Sequence, residues 1–176
     1  MAENFKLTYA TMFNPPEEMH QRFDSALDKV KASLGKEYGM IINGKDVFSA
    51  DKFEDHSPAN TDVLLGVFQK GTERDAQAAL TAARQAFPLW SRMKWQERVA
   101  LLRKAADLMD ERIFESGVAM AMEVGKNRME SLGDVAETAD LIRYSCYQME
   151  KNDGFLVEMG RDPLVGYTAT NHSVLR

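Results

Sequence analysis

Apolar residues recur at helical spacing along much of this chain, and short strand-like runs interrupt them near residue 50 and again at the end. Met19, Phe23, Ala26, Leu27, Val30 and Leu34 form the first stripe and predict a helix from Pro15 to Leu34. Asn14 is a suitable N-cap, Pro15 suits the first helical position, and Glu17 and Glu18 complement the dipole. Gly35 is placed to end the helix in the left-handed conformation. Met40-Ile41-Ile42 and Asp46-Val47-Phe48 then flank Asn43-Gly44, the strongest short hairpin signal. Two further strands are expected, one from Phe53 to Ser57, stopped by Pro58, and one from Val63 to Gln69.

A helical block follows from Thr72 to Glu150. Thr72 and Asp75 open it as a capping box, with Asp in place of the usual Glu. Ala76, Ala79, Leu80, Ala83 and Phe87 are its first apolar face, and Pro88 is expected to close that helix. Trp90 and Trp95 bracket a turn. A helix from Gln96 to Asp110 is expected to bury Val99, Leu102, Ala106 and Met109. The next, Ile113 to Val124, is expected to bury Ile113, Gly117, Met120 and Val124 before Gly125 ends it. The last runs from Met129 to Glu150.

The tail returns to strand patterns at Phe155-Leu156-Val157, Gly166 to Thr170 and Ser173 to Arg176, around a Gly-Arg-Asp-Pro turn at 160–163. The two strand groups admit two readings. They pair with each other and leave the helices as a separate layer, or they belong to a sheet that other residues complete.

Composition narrows the function classes. The 176 residues are 44% hydrophobic and 28% charged, which suits an ordinary globular domain. The net charge of −5 is spread along the chain with no basic stripe, so neither nucleic acid nor an anionic membrane is an expected partner. No run is long enough to span a bilayer. The N-terminus lacks the pattern of a secretory signal, so the expected location is the cytoplasm. No Walker A loop or Gly-x-Gly-x-x-Gly turn is present. His20, His56 and His172 have no ligand spacing, so no metal is expected. The lone Cys146 lies on the stripe Val135, Ala139, Ile142, Cys146 and Met149, where it reads as a core residue and not a nucleophile. No catalytic set can be assembled.

Glu137 is the one candidate site residue. At ~100° per residue it points roughly 160° away from the Cys146 stripe. Leu141, Tyr144 and Gln148 share its side. Two readings stay open: an exposed acid beside an amphipathic tyrosine, or part of a second contact surface.

Several segments, taken in order, resemble the N-terminal part of the aldehyde dehydrogenase superfamily. They are Ile41-Ile42-Asn43-Gly44-Lys45, Ser57-Pro58-Ala59-Asn60, Ala76 to Trp90, Arg98 to Met109, Glu123-Val124-Gly125-Lys126, and Asp134 to Ile142. The helix ending at Leu34-Gly35-Lys36-Glu37-Tyr38, the Gly-Lys-Asn turn and the Glu137–Tyr144 helix are most similar to the 1-pyrroline-5-carboxylate (glutamate-semialdehyde) dehydrogenases. The resemblance implies an α/β parent fold, of which this piece supplies mainly helices and short antiparallel strands. It implies NAD as cofactor, a thiolate nucleophile and a glutamate-activated water, all carried by segments beyond Arg176. The chain alone is then expected to be inert, with the rest of the dehydrogenase and further copies in a homo-oligomer as partners.

The same resemblance divides the chain. Residues 1–37 are a helical extension, and 38–70 are short strands of the oligomerisation sheet. Residues 71–152 are helices that pack on the nucleotide-binding domain, and 153–176 are a hairpin of the oligomerisation sheet. It assigns Glu137 to polar contact with substrate or ordering of the site, whereas Lys126 reads as a cation at a helix C-terminus. Two alternatives remain: a stand-alone helical interaction module, and a dehydrogenase for a different semialdehyde.

Overall fold

The structure, a computed structural model, describes residues 14–158 and 172–174, with side chains through residue 156. Helix α1 spans Glu17–Lys31, shorter at both ends than the expected Pro15 to Leu34. Pro16 disfavours helical geometry at Pro15 before it, so the N-cap moves from the expected Asn14 to Pro16 itself. Past the other end, Gly35 takes φ 71° and donates its N–H to the Leu65 carbonyl at 3.1 Å. That turn feeds the chain straight into β1.

Strands β1 (Lys36–Tyr38), β4 (Lys52–Ser57) and β5 (Asn60–Gln69) form one sheet in the order β1-β5-β4. β1 runs parallel to β5 and β4 antiparallel to it, with a register shift at Asp55/His56. Buried Gln69 joins the strands. Its amide nitrogen donates to Glu37 and to the Tyr38 carbonyl, both at 3.0 Å, and its amide oxygen accepts from the Ser49 N–H at 2.8 Å. Strands β2 (Met40–Ile42) and β3 (Lys45–Val47) form the expected hairpin. Asn43 at φ 52° and Gly44 at φ 71° supply the two left-handed residues of a primed turn.

Strands β6 (Leu156–Glu158) and β7 (His172–Val174) pair antiparallel. Among the described residues the two strand groups do not merge; they make three separate sheets. The expected turn at 160–163 and strand at 166–170 lie outside the described residues, as do Leu175 and Arg176.

Helix α2 (Glu73–Arg92) begins with the expected box: Thr72 Oγ1 accepts from the Asp75 N–H and Asp75 accepts from the Thr72 N–H at 2.8 Å. Pro88 does not close it. The helix continues to Arg92, and the Met93 N–H still reaches the Leu89 carbonyl at 3.2 Å. Proline's fixed φ is compatible with helix, and an exposed helix can absorb the lost N–H and the local kink without disturbing packing. None of its residues is buried, so the face at Ala76, Ala79, Leu80, Ala83 and Phe87 is open.

Helices α3 (Trp95–Glu111), α4 (Ile113–Val124) and α5 (Arg128–Lys151) build the core with α1. Met19, Phe23 and Ala26 of α1 meet Phe114 and Val118 of α4 and Leu132 of α5. The α4 stripe is rotated from the expected one: Phe114, Gly117 and Val118 are buried, and Val124 is exposed. Having α1 on one side and α5 on the other widens and turns the buried arc. In α3, Val99 and Ala106 are buried as expected, whereas Leu102 is exposed and Met109 half-buried. Arg143 of α5 bridges Asp107 (2.9 Å) and Asp110 (2.6 Å) of α3, and Arg103 of α3 holds Glu150 through two hydrogen bonds. The Ser57 hydroxyl donates to the Met122 carbonyl at 2.7 Å and ties the sheet to α4.

Candidate functional site

The Gly125–Asn127 connection sets the orientation of α5. Gly125 takes φ 71° past the last turn of α4, where a side chain would be strained. Asn127 then caps α5: its side-chain oxygen accepts from the N–H groups of Met129 (3.0 Å) and Glu130 (2.9 Å). Lys126 pairs with Asp134 of α5, so it clamps the elbow between the helices and is more than a dipole partner of α4. No helical period links a residue in the turn to one eight positions on, so the sequence carried no signal for this pair.

With that orientation, Ser131, Leu132, Val135, Ala139 and Cys146 point into the core. Glu137, on the far side, is exposed. Among the described residues it makes no hydrogen bond or ion pair. Beside it on the same face, Leu141 is 58% and Tyr144 60% exposed, while Gln148 is half-buried. Tyr144 leans on Tyr147 at 6.5 Å between ring centroids. The arrangement is a carboxylate on an open apolar face.

Cys146 is 1% exposed, and its Sγ lies 3.8 Å from the Val99 carbonyl oxygen. Closed off from solvent among core residues, it has no nucleophile's setting. Among the described residues no group of His, Cys, Asp and Glu has metal-binding geometry. His20 lies on α1 and His56 on β4, while the side chain of His172 lies outside the described residues. No helix among the described residues is long and apolar enough to cross a membrane.

One helix start resembles a phosphate site only in its position. β5 leads into α2 through Gly71, a place where a pyrophosphate could meet helix amides. The Asp75 carboxylate already occupies that terminus, and its hydrogen bonds from Thr72 hold its pKa below the usual range. A second anion would be repelled there.

A groove of about 500 Å³ lies between the C-terminal half of α1, the outer side of α4 and the β1-β5-β4 sheet. Tyr38 and Phe68 stack along it at 5.3 Å, brought together by the β1–β5 register. The parallel pairing of strands so distant in sequence hid this juxtaposition.

The aldehyde dehydrogenase family model matches residues 47–171, most of the chain. The chain belongs to the aldehyde dehydrogenase family. It is 36% identical over 135 residues to 1-pyrroline-5-carboxylate dehydrogenase of Staphylococcus epidermidis, covering 76% of this chain and 26% of that one. It is 37% identical over 139 residues to 1-pyrroline-5-carboxylate dehydrogenase 1 of Halalkalibacterium halodurans, covering 78% and 27%. Among solved structures, 1-pyrroline-5-carboxylate dehydrogenase from Thermus with bound NAD superposes with a TM-score of 0.80 at 30% identity, covering 92% of this chain and 30% of that one. The chain thus spans about a quarter of the length of the curated relatives it matches. The Mycobacterium tuberculosis 1-pyrroline-5-carboxylate dehydrogenase bound with NAD has the same fold over 93% of this chain, with a TM-score of 0.76 at 20% identity.

Proposed function

We propose that this chain is the N-terminal segment of an NAD-dependent dehydrogenase that oxidises glutamate semialdehyde, in equilibrium with 1-pyrroline-5-carboxylate, to glutamate in proline catabolism. The observation that carries the reading is the likeness to the Thermus enzyme over 92% of this chain. The open apolar faces support it. A 20-residue amphipathic helix with no buried residue, and a face with Leu141 and Tyr144 exposed, are what a segment shows when its neighbours are elsewhere in the protein.

In this reading the segment scaffolds the reaction. Residues 1–37 form a helical extension. Residues 38–70 and 153–176 contribute to the oligomerisation sheet of a cytoplasmic homo-oligomer, and residues 71–152 pack on the nucleotide-binding domain. NAD is the hydride acceptor and is held by other parts of the protein. Glu137 contributes a polar contact to the substrate: its carboxylate is exposed and unpaired, and the amino-acid semialdehyde carries an ammonium group that complements it.

The test has two arms. The 176-residue chain mixed with NAD and glutamate semialdehyde should form no NADH. A chimera of the Thermus enzyme carrying this chain in place of its matching segment should form NADH, and Glu137→Ala should lower its kcat/KM about tenfold or more, the loss of one charged contact. NADH formed by the chain alone, or a folded chimera that oxidises other aldehydes in preference, overturns the reading.

A further inference from the structure

We propose that the groove between α1, α4 and the three-stranded sheet binds an organic cation with an apolar body, such as an alkyl or aryl ammonium. Its floor is apolar: Val30 comes from α1, Leu34 from the turn that follows it, Leu65 from β5, and Met122 from α4. One wall is the stacked Tyr38–Phe68 pair. Aromatic faces attract cations while sheltering apolar groups.

Charge settles the sign of the ligand. Asp55, Glu115 and Glu123 border the groove, and Lys29 is the single base among its described lining residues. Lys29 is already engaged with Glu115 at 3.7 Å. Among the described residues, Asp55 and Glu123 form no ion pair and their side chains accept no hydrogen bond. Asp55 is half-buried, and its neighbour His56 is held instead by Glu54 (3.1 Å) and the Thr61 carbonyl (2.8 Å). Two carboxylates without a close cationic partner, Asp55 acting only at longer range on the His56 imidazole, attract a cation beside the aromatic wall and repel an anion. The volume admits a body of drug-like size at the lower end of the usual range. This inference stands on the groove alone and does not depend on the dehydrogenase reading.

Calorimetric titration of the 176-residue chain with 4-phenylbutyltrimethylammonium, 4-phenylbutanol and 4-phenylbutyrate separates the contributions. The cation should bind with a dissociation constant on the order of 1 mM. It should bind roughly tenfold tighter than the alcohol, with no detectable binding of the carboxylate. The double variant Asp55→Asn/Glu123→Gln should bring the cation down to the level of the alcohol. Lys29→Gln should tighten the cation several-fold, a gain that a misfolded variant would not give. Equal binding of cation and alcohol, or unchanged cation affinity in both variants, overturns the proposal.

Discussion

Leu132 and Gly117 offer a test of how α4 and α5 are fitted together. Leu132 is 0% exposed at the centre of the α1–α4–α5 core, so Leu132→Ala should cost about 3 kcal/mol in lost burial and residual cavity. Gly117 faces it: a Cβ there would lie 2.8 Å from Leu132 Cδ2. Gly117→Ala alone gains ~1 kcal/mol of helix propensity but pays about 1–3 kcal/mol for overpacking, a net cost near 1 kcal/mol. In the Leu132→Ala background the obstructing methyls are gone, and only the propensity gain and some cavity filling remain. The same substitution should then stabilise by about 1 kcal/mol, a coupling near 2 kcal/mol. Urea unfolding of the four proteins measures it. Additivity within about 0.5 kcal/mol would refute the close approach of the two helices at this point.

Three other outcomes follow from backbone and charge. Gly154 has φ 72° and a Cβ there would sit 2.3 Å from Trp95 Cδ1, so Gly154→Ala should destabilise by more than about 2 kcal/mol and alter Trp fluorescence. Gly44→Ala, at φ 71° with nothing within 4 Å, should cost only about 1 kcal/mol, which chemical denaturation resolves. The Glu150 carboxyl is held below its ordinary 4.5 by hydrogen bonds from Arg103. A depressed carboxyl stabilises the fold above its unfolded value, and that contribution is lost as pH falls through the folded one. Stability should therefore drop below about pH 4.5, with a shallower drop in Arg103→Gln; identical acid profiles would dismiss the pair as a contributor.

Much of the fold was legible because it is local. Asn43-Gly44 fixes a hairpin without help from the rest of the chain, and Thr72 with Asp75 starts a helix on its own. Cys146 was rightly placed inside by its stripe, since α5 packs along that single side. What the stripes could not supply was the number of neighbours. Helix α4 lies against two others, and its buried arc moved to Phe114 and Val118. Helix α2 has an equally clear stripe and buries none of it. Pro88 misled because a proline forbids a packed, straight helix more strictly than an exposed one.

Of the site, the exposure of Glu137 followed from its phase on α5, whereas the role proposed for it rests on a resemblance. The Lys126–Asp134 clamp and the Tyr38–Phe68 wall both join residues across a turn or a parallel ladder, contacts that periodicity does not encode.

The bare flanks of α2 have a consequence for the order in which the molecule opens. An isolated helix of this length is marginal in water, and a cap with a few side-chain pairs holds it only weakly. Its amides should exchange with solvent through local opening, far faster than those of α5, which come apart only when the whole core does. Contact with a neighbour would then do two things at once: cover the helix and complete its folding. Slowed deuterium uptake in α2 alone would record the docking of a neighbour onto this helix.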